Sequence, residues 1–360
     1  MKDMIEHPNI KLNLSLTPKT DANVFLNIGV SPLPLEHNGP FVRNKQNQLL
    51  CIHDKTVFLS HNDGKTWQER ELFSEKQDFS ITRSHSILCT EDGTIIVSFI
   101  NFAKKHFKWR KKANAPTKNT FIHHYVVRSE DGGLTWQEPI LIQKGYAATT
   151  TTIIQLKSGA ILLSTQNLDY EEARHFSLSF RSEDNGKSWQ ASNKLDIGGR
   201  GHHDGCYEGT LVELHDRVWF CIRTNLDYFW NAYSYDDGKS WTEIKPGIEA
   251  SSSPAMLSRL TSGHLIMMYN PLYPAGENSY ARRSGQFSVC EASWHRDQLA
   301  GIISKDDGQT WSKPFILAHC DNAWLSYPYV FEASPGKIWV TTMQSQLKIQ
   351  FNESILLEKF

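Results

Sequence analysis

One eight-residue pattern occurs five times in this chain and restricts its fold more tightly than anything else in the sequence. The copies read Ser60-His-Asn-Asp-Gly-Lys-Thr-Trp67, Ser129-Glu-Asp-Gly-Gly-Leu-Thr-Trp136, Ser182-Glu-Asp-Asn-Gly-Lys-Ser-Trp189, Ser234-Tyr-Asp-Asp-Gly-Lys-Ser-Trp241 and Ser304-Lys-Asp-Asp-Gly-Gln-Thr-Trp311. All fit Ser-x-Asp-x-Gly-x-Ser/Thr-Trp except the first, which has Asn62 in place of Asp. Recurrence every roughly 50 to 70 residues is the mark of a repeat architecture. The Asp and Ser side chains can fold back on backbone amides. The Gly permits a positive φ, and the Trp is a large apolar anchor. Each copy therefore reads as a stiff hairpin connection. A calcium loop would need more acidic ligands, and Lys or Gln often follows the Gly.

A second signal runs in step with the first. Two short apolar runs flank a polar turn ahead of each copy, at Gln46-Asn47-Gln48, Glu91-Asp92-Gly93, Lys157-Ser158-Gly159, His215-Asp216-Arg217 and Thr261-Ser262-Gly263. A sixth hairpin, at Ser334-Pro335-Gly336, has no copy after it. These are strand pairs bounded by turn residues. Six hairpins and five boxed turns predict an all-β six-bladed β-propeller, with the boxes joining strands 3 and 4 of each blade. The last blade lacks C-terminal sequence, so an N-terminal strand, Val24 to Ile28, is expected to complete it and close the ring. Radial closure leaves only short sheet edges.

The chain has 360 residues, and a propeller fills residues 1–360 as one domain. Net charge is −1, which with the lack of a recurring basic-aromatic pattern argues against nucleic acid. No apolar run is long enough to span a membrane. The N-terminus lacks an apolar signal core, so a cytoplasmic location is expected. The six Cys show no paired spacing and read as buried free thiols. No cofactor is expected.

Topology says where chemistry belongs. The strand 1–2 and 3–4 turns share one face, so the boxes mark the bottom. Strand 1 starts and strand 2 ends lie at the top, and there the sequence is rich in hydrogen-bonding side chains. Examples are Arg83-Ser84-His85, Tyr207-Glu208, Ser252-Ser253, Ser326-Tyr327, Arg223-Thr224-Asn225, Tyr269-Asn270 and Gln344. Polar groups converging on a mouth suit a sugar. Segments 102–122, 168–175 and 271–295 are expected to rim the same face. The first is basic and the third carries Arg282 and Arg283, which could steer an anionic ligand.

The boxed turns are identified as the Asp-boxes, or BNR repeats, of the sialidase superfamily, and the resemblance covers nearly the whole chain. Three further segments add to it. Cys206-Tyr-Glu208-Gly-Thr-Leu-Val-Glu, followed by Cys221-Ile-Arg223, resembles the segment with a buried Glu and a carboxylate-binding Arg. Trp294-His-Arg296 resembles the segment of another triad Arg. Ser326-Tyr327-Pro-Tyr resembles the segment of the Tyr nucleophile. The resemblance implies Tyr327 as nucleophile and Glu208 as its base, with Arg223 and Arg296 gripping a carboxylate. Tyr207, Asn270 and Gln344 would add polar contacts to the sugar. Two places depart from the family. Its first arginine segment reads here Gly39-Pro-Phe-Val-Arg43-Asn, which leaves Arg43 and Arg83 as alternatives. The loop of its acid/base Asp is replaced by the near-direct hairpin around Asp54. Histidines crowd the places where proton transfer is needed, so His85, His203 and Asp204 are the acid/base candidates. His202-His203-Asp204 lacks convincing further ligands, so no metal is assigned.

Three readings follow. The first is a sialidase-like exo-glycoside hydrolase acting on a carboxylated sugar at a non-reducing end. The second is a lyase or hydrolase of uronate-containing glycans, using His or Tyr to take a C5 proton. The third is a non-catalytic carbohydrate-binding propeller.

Overall fold

A computed structural model describes residues 3–15, 23–81, 84–149, 151–285 and 287–360. Among the described residues, six antiparallel sheets follow one another round a ring, five of four strands and one, blade 5, extended to six. Blade 1 runs Val42–Arg43, Leu49–His53, Thr56–Ser60 and Gln68–Glu71, and blade 2 runs His85–Cys89, Ile95–Ile100, His124–Ser129 and Ile140–Gln143. Blade 3 comprises Ile153–Gln155, Ile161–Asp169, Arg174–Ser182 and Gln190–Ala191, and blade 4 comprises Cys206–Glu213, Val218–Thr224, Tyr228–Ser234 and Lys245–Glu249. Blade 5 is Met256–Arg259, Leu265–Tyr269, Gln298–Ser304 and Phe315–His319. Blade 6 is Pro328–Ser334, Lys337–Thr342, Lys348–Asn352 and, from the N-terminal region, Val30–Pro32.

The closing strand is therefore not the expected one. Phe25–Asn27 pairs instead with Phe315–His319 and extends blade 5, with Met4–Glu6 beyond it. Val30–Pro32 pairs with Lys348–Asn352 and closes blade 6. Residues 24–28 carry the stronger apolar signal, whereas Pro32 weakens the second run as a strand. Proline is tolerated at a sheet edge, and that is where Pro32 sits. The chain turns between the two blades at Gly29, with φ +88°. Val24, Leu26 and Val30 all enter the one apolar cluster between blades 5 and 6.

Apolar packing explains the ring. Six clusters fill the six wedges between neighbouring blades. A seventh lies under the blade 2 insert, around Trp109, Ile122 and Tyr146. Neighbouring sheets thus bury their faces against each other, which neither could do alone.

All five boxes join strands 3 and 4, and they share one hydrogen-bond pattern. The Ser hydroxyl accepts from the Gly amide at 2.8–2.9 Å in every copy. The Asp carboxylate accepts from the Ser/Thr amide four residues on, at 2.8–2.9 Å. Asn62 makes the same bond through Oδ1, at 2.9 Å, and its Nδ2 donates to Thr66 Oγ1 at 2.9 Å. An amide replaces the carboxylate there without changing the turn.

The long inserts rise from the top, with one correction. Residues 168–175 are no loop, because the second and third strands of blade 3 run nine residues each and leave only 170–173 as the turn. Segment 102–122 carries a short pair, Trp109–Arg110 with Ala115–Pro116. Segment 271–295 carries a hairpin, Arg282–Ser284 with Glu291–Ser293. Among the described residues no helix is long and apolar enough to cross a membrane.

Candidate active site

Glu208 lies where the inner strand of blade 4 is interrupted, with a register shift between Tyr207 and Thr210. Its φ is +52°, a left-handed conformation that costs a non-glycine residue on the order of 1–3 kcal/mol. The kink depends on Gly209, because a Cβ there would meet Phe220 at 2.5 Å. The Glu208 amide donates to Gln166 Oε1 at 2.7 Å, which fixes the bulge to blade 3. Tyr327, just before the inner strand of blade 6, is also left-handed, with φ +59°. These two strained residues meet: Tyr327 OH donates to Glu208 Oε1 at 2.9 Å.

Arg223, at the end of strand 2 of blade 4, completes the contact. Its Nη1 donates to Tyr327 OH at 3.1 Å and also to Glu208 Oε2. Its Nε and Nη2 reach Ser252 Oγ at 3.3 and 3.0 Å. Tyr207 lies beneath as a ring 4.6 Å from the guanidinium. Arg296 comes from the loop before strand 3 of blade 5. Its Nη2 donates to Ser252 O at 2.6 Å and its Nη1 to Gln344 Oε1 at 2.9 Å. Ser252 thus binds both guanidiniums. Trp294 also touches both, at 5.8 Å from Arg223 and 4.8 Å from Arg296.

The charges do not balance. Arg223 and Arg296 are 2% and 1% exposed, and among the described residues Glu208 is the one carboxylate bonded to either. Arg296 has only neutral partners among the described residues, and its Nε has none. Burial drives the Arg296 guanidinium down to about 10, with the Arg223 charge adding to the effect. It remains a cation at neutral pH. Burial opposes the charge of Arg223 too, but Tyr207, Glu208 and Tyr327 outweigh it and hold its pKa above the ordinary value. A buried charge without a counterion is costly, so the arrangement is suited to an incoming anion. The Tyr327 phenol is pushed well above its ordinary value, by burial first and then by Glu208, against the pull of both arginines. Its proton therefore stays on the oxygen at rest, with Glu208 placed to accept it.

The other residues singled out in the sequence fall in different places. Arg43 is at the bottom, where Nη2 donates to Asp63 Oδ1 of the first box at 2.6 Å. It cannot join the top-face arginines, because it sits at the foot of its strand beside the turn. Arg83 lies outside the described residues. Asp204 is 2% exposed and fully engaged. It accepts from the amides of Val289 at 2.9 Å and Arg200 at 3.2 Å, and from Ser288 Oγ. Its carboxylate holds the blade 5 hairpin down. Asn270 is fully buried and spends its amide protons on Gln298 O and Leu325 O, bracing the loop that leads to Tyr327. The Tyr207 hydroxyl donates to His203 O at 3.1 Å. The His203 ring packs on Trp294 at 5.5 Å, and burial, then Arg223, His175 and Arg296, push it down to about 3. His85, at the inner edge of blade 2, is 4% exposed. It lines a top-face cavity of about 180 Å³ with His53, Asn38, Tyr329 and Gln344, the last of which also holds Arg296. Asp54 is an exposed turn residue that accepts from Ser80 Oγ at 2.7 Å.

Ser252, Gln166 and Trp294 carry the geometry without having been assigned roles from sequence. Ser252 stands just ahead of a strand on the top face and Gln166 in the upper half of one, a positional signal that ranks no residue above its neighbours. Among the described residues no group of three or more His, Cys, Asp or Glu is placed to hold a metal ion.

The family model described as a BNR repeat-like domain matches residues 52–340. The chain belongs to this family, within the sialidase superfamily. A curated relative, the sialidase of Micromonospora viridifaciens, is 27% identical over 270 residues, covering 70% of this chain. The match covers 39% of that relative's length. Among solved structures, a protein of unknown function from Dyadobacter fermentans superposes with a TM-score of 0.59 at 15% identity, covering 90% of this chain and 98% of that one. A mutant of Trypanosoma rangeli sialidase displaying trans-sialidase activity gives 0.57 at 14% identity, covering 99% and 58%. At these identities the structures show the shared propeller fold. Non-catalytic members of the fold exist, so the chemistry of this BNR protein rests on its own residues.

Proposed function

We propose that this chain is a sialidase-like exo-glycoside hydrolase acting on a carboxylated sugar at a non-reducing end. The observation that carries the reading is the three-way contact of Tyr327, Glu208 and Arg223 beside the unneutralised Arg296. Arg223 and Arg296 bind the sugar carboxylate by charge-assisted bonds. Tyr327 attacks the anomeric carbon while Glu208 takes the phenolic proton. The glycosidic oxygen leaves with a proton from an acid, and a glycosyl–tyrosine intermediate remains. Water then attacks the same carbon, the acid residue now acting as base, and Tyr327 recovers its proton from Glu208. A phenol nucleophile suits an anionic sugar, because it approaches uncharged where a carboxylate would be repelled.

His85 is our choice for the acid/base. His203 is held neutral at working pH, and Asp204 is committed to backbone amides. His85 opens on the cavity that Gln344 shares with the arginine pair.

The absence of a carboxylic acid other than Glu208 in contact with Tyr327, Arg223 or Arg296, among the described residues, favours one alternative. This is a uronate-directed lyase, in which an arginine neutralises the carboxylate and Tyr327 or a histidine takes the C5 proton. The test is turnover of a fluorogenic sialoside beside a panel of uronic-acid oligosaccharides. Sialoside cleavage, reduced at least about 10³-fold by Tyr327→Phe, is the expected result. A product absorbing in the ultraviolet from a new C4–C5 double bond would replace hydrolysis by elimination. Binding without turnover of any substrate would leave a carbohydrate-binding propeller.

A further inference from the structure

Two adjacent arginines open the blade 5 hairpin, and the structure treats them differently. Alternation along the strand sends their side chains to opposite faces. Arg282 is neutralised: its Nη1 donates to Asp227 Oδ2 at 2.8 Å and its Nη2 to Glu291 O at 2.6 Å. Arg283 has no hydrogen bond or ion pair with any described residue. Its guanidinium instead lies 5.5 Å over the ring of Trp294. This is the same indole that touches Arg296 and Arg223. Three cations therefore gather at one ring, and among the described residues Glu208 is the one carboxylate bonded to any of them.

Their depths differ. Arg223 and Arg296 are buried, whereas Arg283 is exposed. The pair forms the floor of the site and Arg283 stands at its rim. The hairpin that carries Arg283 is also firmly held. Asp204 binds its turn through Val289 and Ser288. Phe287 stacks on Trp109 of the blade 2 insert, with 5.4 Å between centroids and 7° between planes. Gly285 packs so closely that a Cβ would meet His203 at 2.7 Å and Trp294 at 2.8 Å. Both insertions and a buried carboxylate thus fix the position of one unpaired surface cation.

We infer that Arg283 is the rim half of a two-charge subsite. The floor pair takes the carboxylate of the terminal sugar, and Arg283 takes a second carboxylate, on the next residue of the glycan. The inference rests on the reading of the site as one for carboxylated sugars. It adds that the preferred substrate carries acidic residues in succession. An exposed pair is screened by water and salt, so the effect is moderate and depends on ionic strength.

Binding in a Tyr327→Phe background tests this without turnover. Two probes share a terminal sugar: α-linked disialic acid carries a second carboxylate on the next residue, and sialyllactose carries neutral galactose there. Calorimetric titration in low salt should show disialic acid bound about fivefold or more tightly. Adding Arg283→Ala should remove that advantage and leave sialyllactose within about twofold, while Arg283→Lys should keep part of it. The advantage should also shrink in 0.5 M salt. Binding of both probes with no selective effect of Arg283→Ala would overturn the rim subsite alone. An equal loss on both probes would overturn it too. Failure of both probes to bind at millimolar concentration would overturn the subsite together with the sialoside reading.

Discussion

The bottom of the ring and its top are built on opposite plans. At the bottom, five turns satisfy the same donors with the same acceptors at nearly the same distances, and they tolerate Asn62 for Asp because the pattern survives. At the top the blades do not repeat one another. Blade 4 gives Glu208 and Arg223, blade 5 gives Arg296, and blade 6 gives Tyr327. Two of these four have strained backbones, and one is a buried cation whose partners among the described residues are all neutral. Repetition marks what folding needs. The breaks in it, where local stability is given up, mark what the protein does.

Acid should separate the two faces most clearly. At the top, burial lowers His53 to about 4 and His124, His175 and His203 to about 3, with His202 well below its ordinary value. A histidine lowered in the folded state contributes stability that is whole above 6.5 and is lost as pH falls below that value. For the two fully buried rings, His124 and His175, the slope is about 1.4 kcal/mol each per pH unit. At the bottom, Asp306 is held below the ordinary carboxylate value by the Thr310 hydroxyl and amide. In Asp131, Asp184 and Asp236 burial works the other way but is outweighed by the equivalent bonds. Their contribution is whole above 3.8 and is lost only as pH falls below it. Hydrogen exchange, corrected for its intrinsic pH dependence, should show residues 201–205 and 287–293 losing protection between pH 6.5 and 5. The boxed turns should hold until below pH 4. Simultaneous loss would mean that the faces are not separable.

A smaller effect sharpens the same contrast. Asp184→Ala removes an acceptor for two amides and two hydroxyls in the third box. It should cost about 1 kcal/mol in denaturant unfolding, as loss of a comparable capping bond does. The kcat/KM should be unchanged, because the box is on the far face from the site.

Much of this was legible from sequence, for a physical reason. Each box is stabilised by bonds spanning two to four residues, so its pattern is local and survives in the text of the chain. The blade count, the box positions and the insert-bearing face follow from it. Tyr327, Glu208, Arg223 and Arg296 were legible only through short resembling segments. Their meeting depends on contacts 104 and 119 residues apart, which no local pattern encodes. The anchoring contacts of Asp204 were hidden for the same reason, since its partners Ser288 and Val289 lie 84 and 85 residues away. The closing strand was misread because local apolar content favoured residues 24–28, whereas the choice was made by the geometry of two neighbouring blades.

Arg296 offers the most direct test of the central claim that the top face holds an unneutralised charge for an acidic ligand. The measurement is the melting temperature and the affinity for the acidic glycoside, taken together on Arg296→Met. Replacing a buried cation without a counterion by an apolar side chain should keep the melting temperature or raise it. The same change should weaken binding of the carboxylated sugar at least about tenfold, as loss of a charge-assisted bond does. A melting temperature several degrees lower, with affinity for the acidic sugar unchanged, would show that Arg296 serves the fold and would contradict the account.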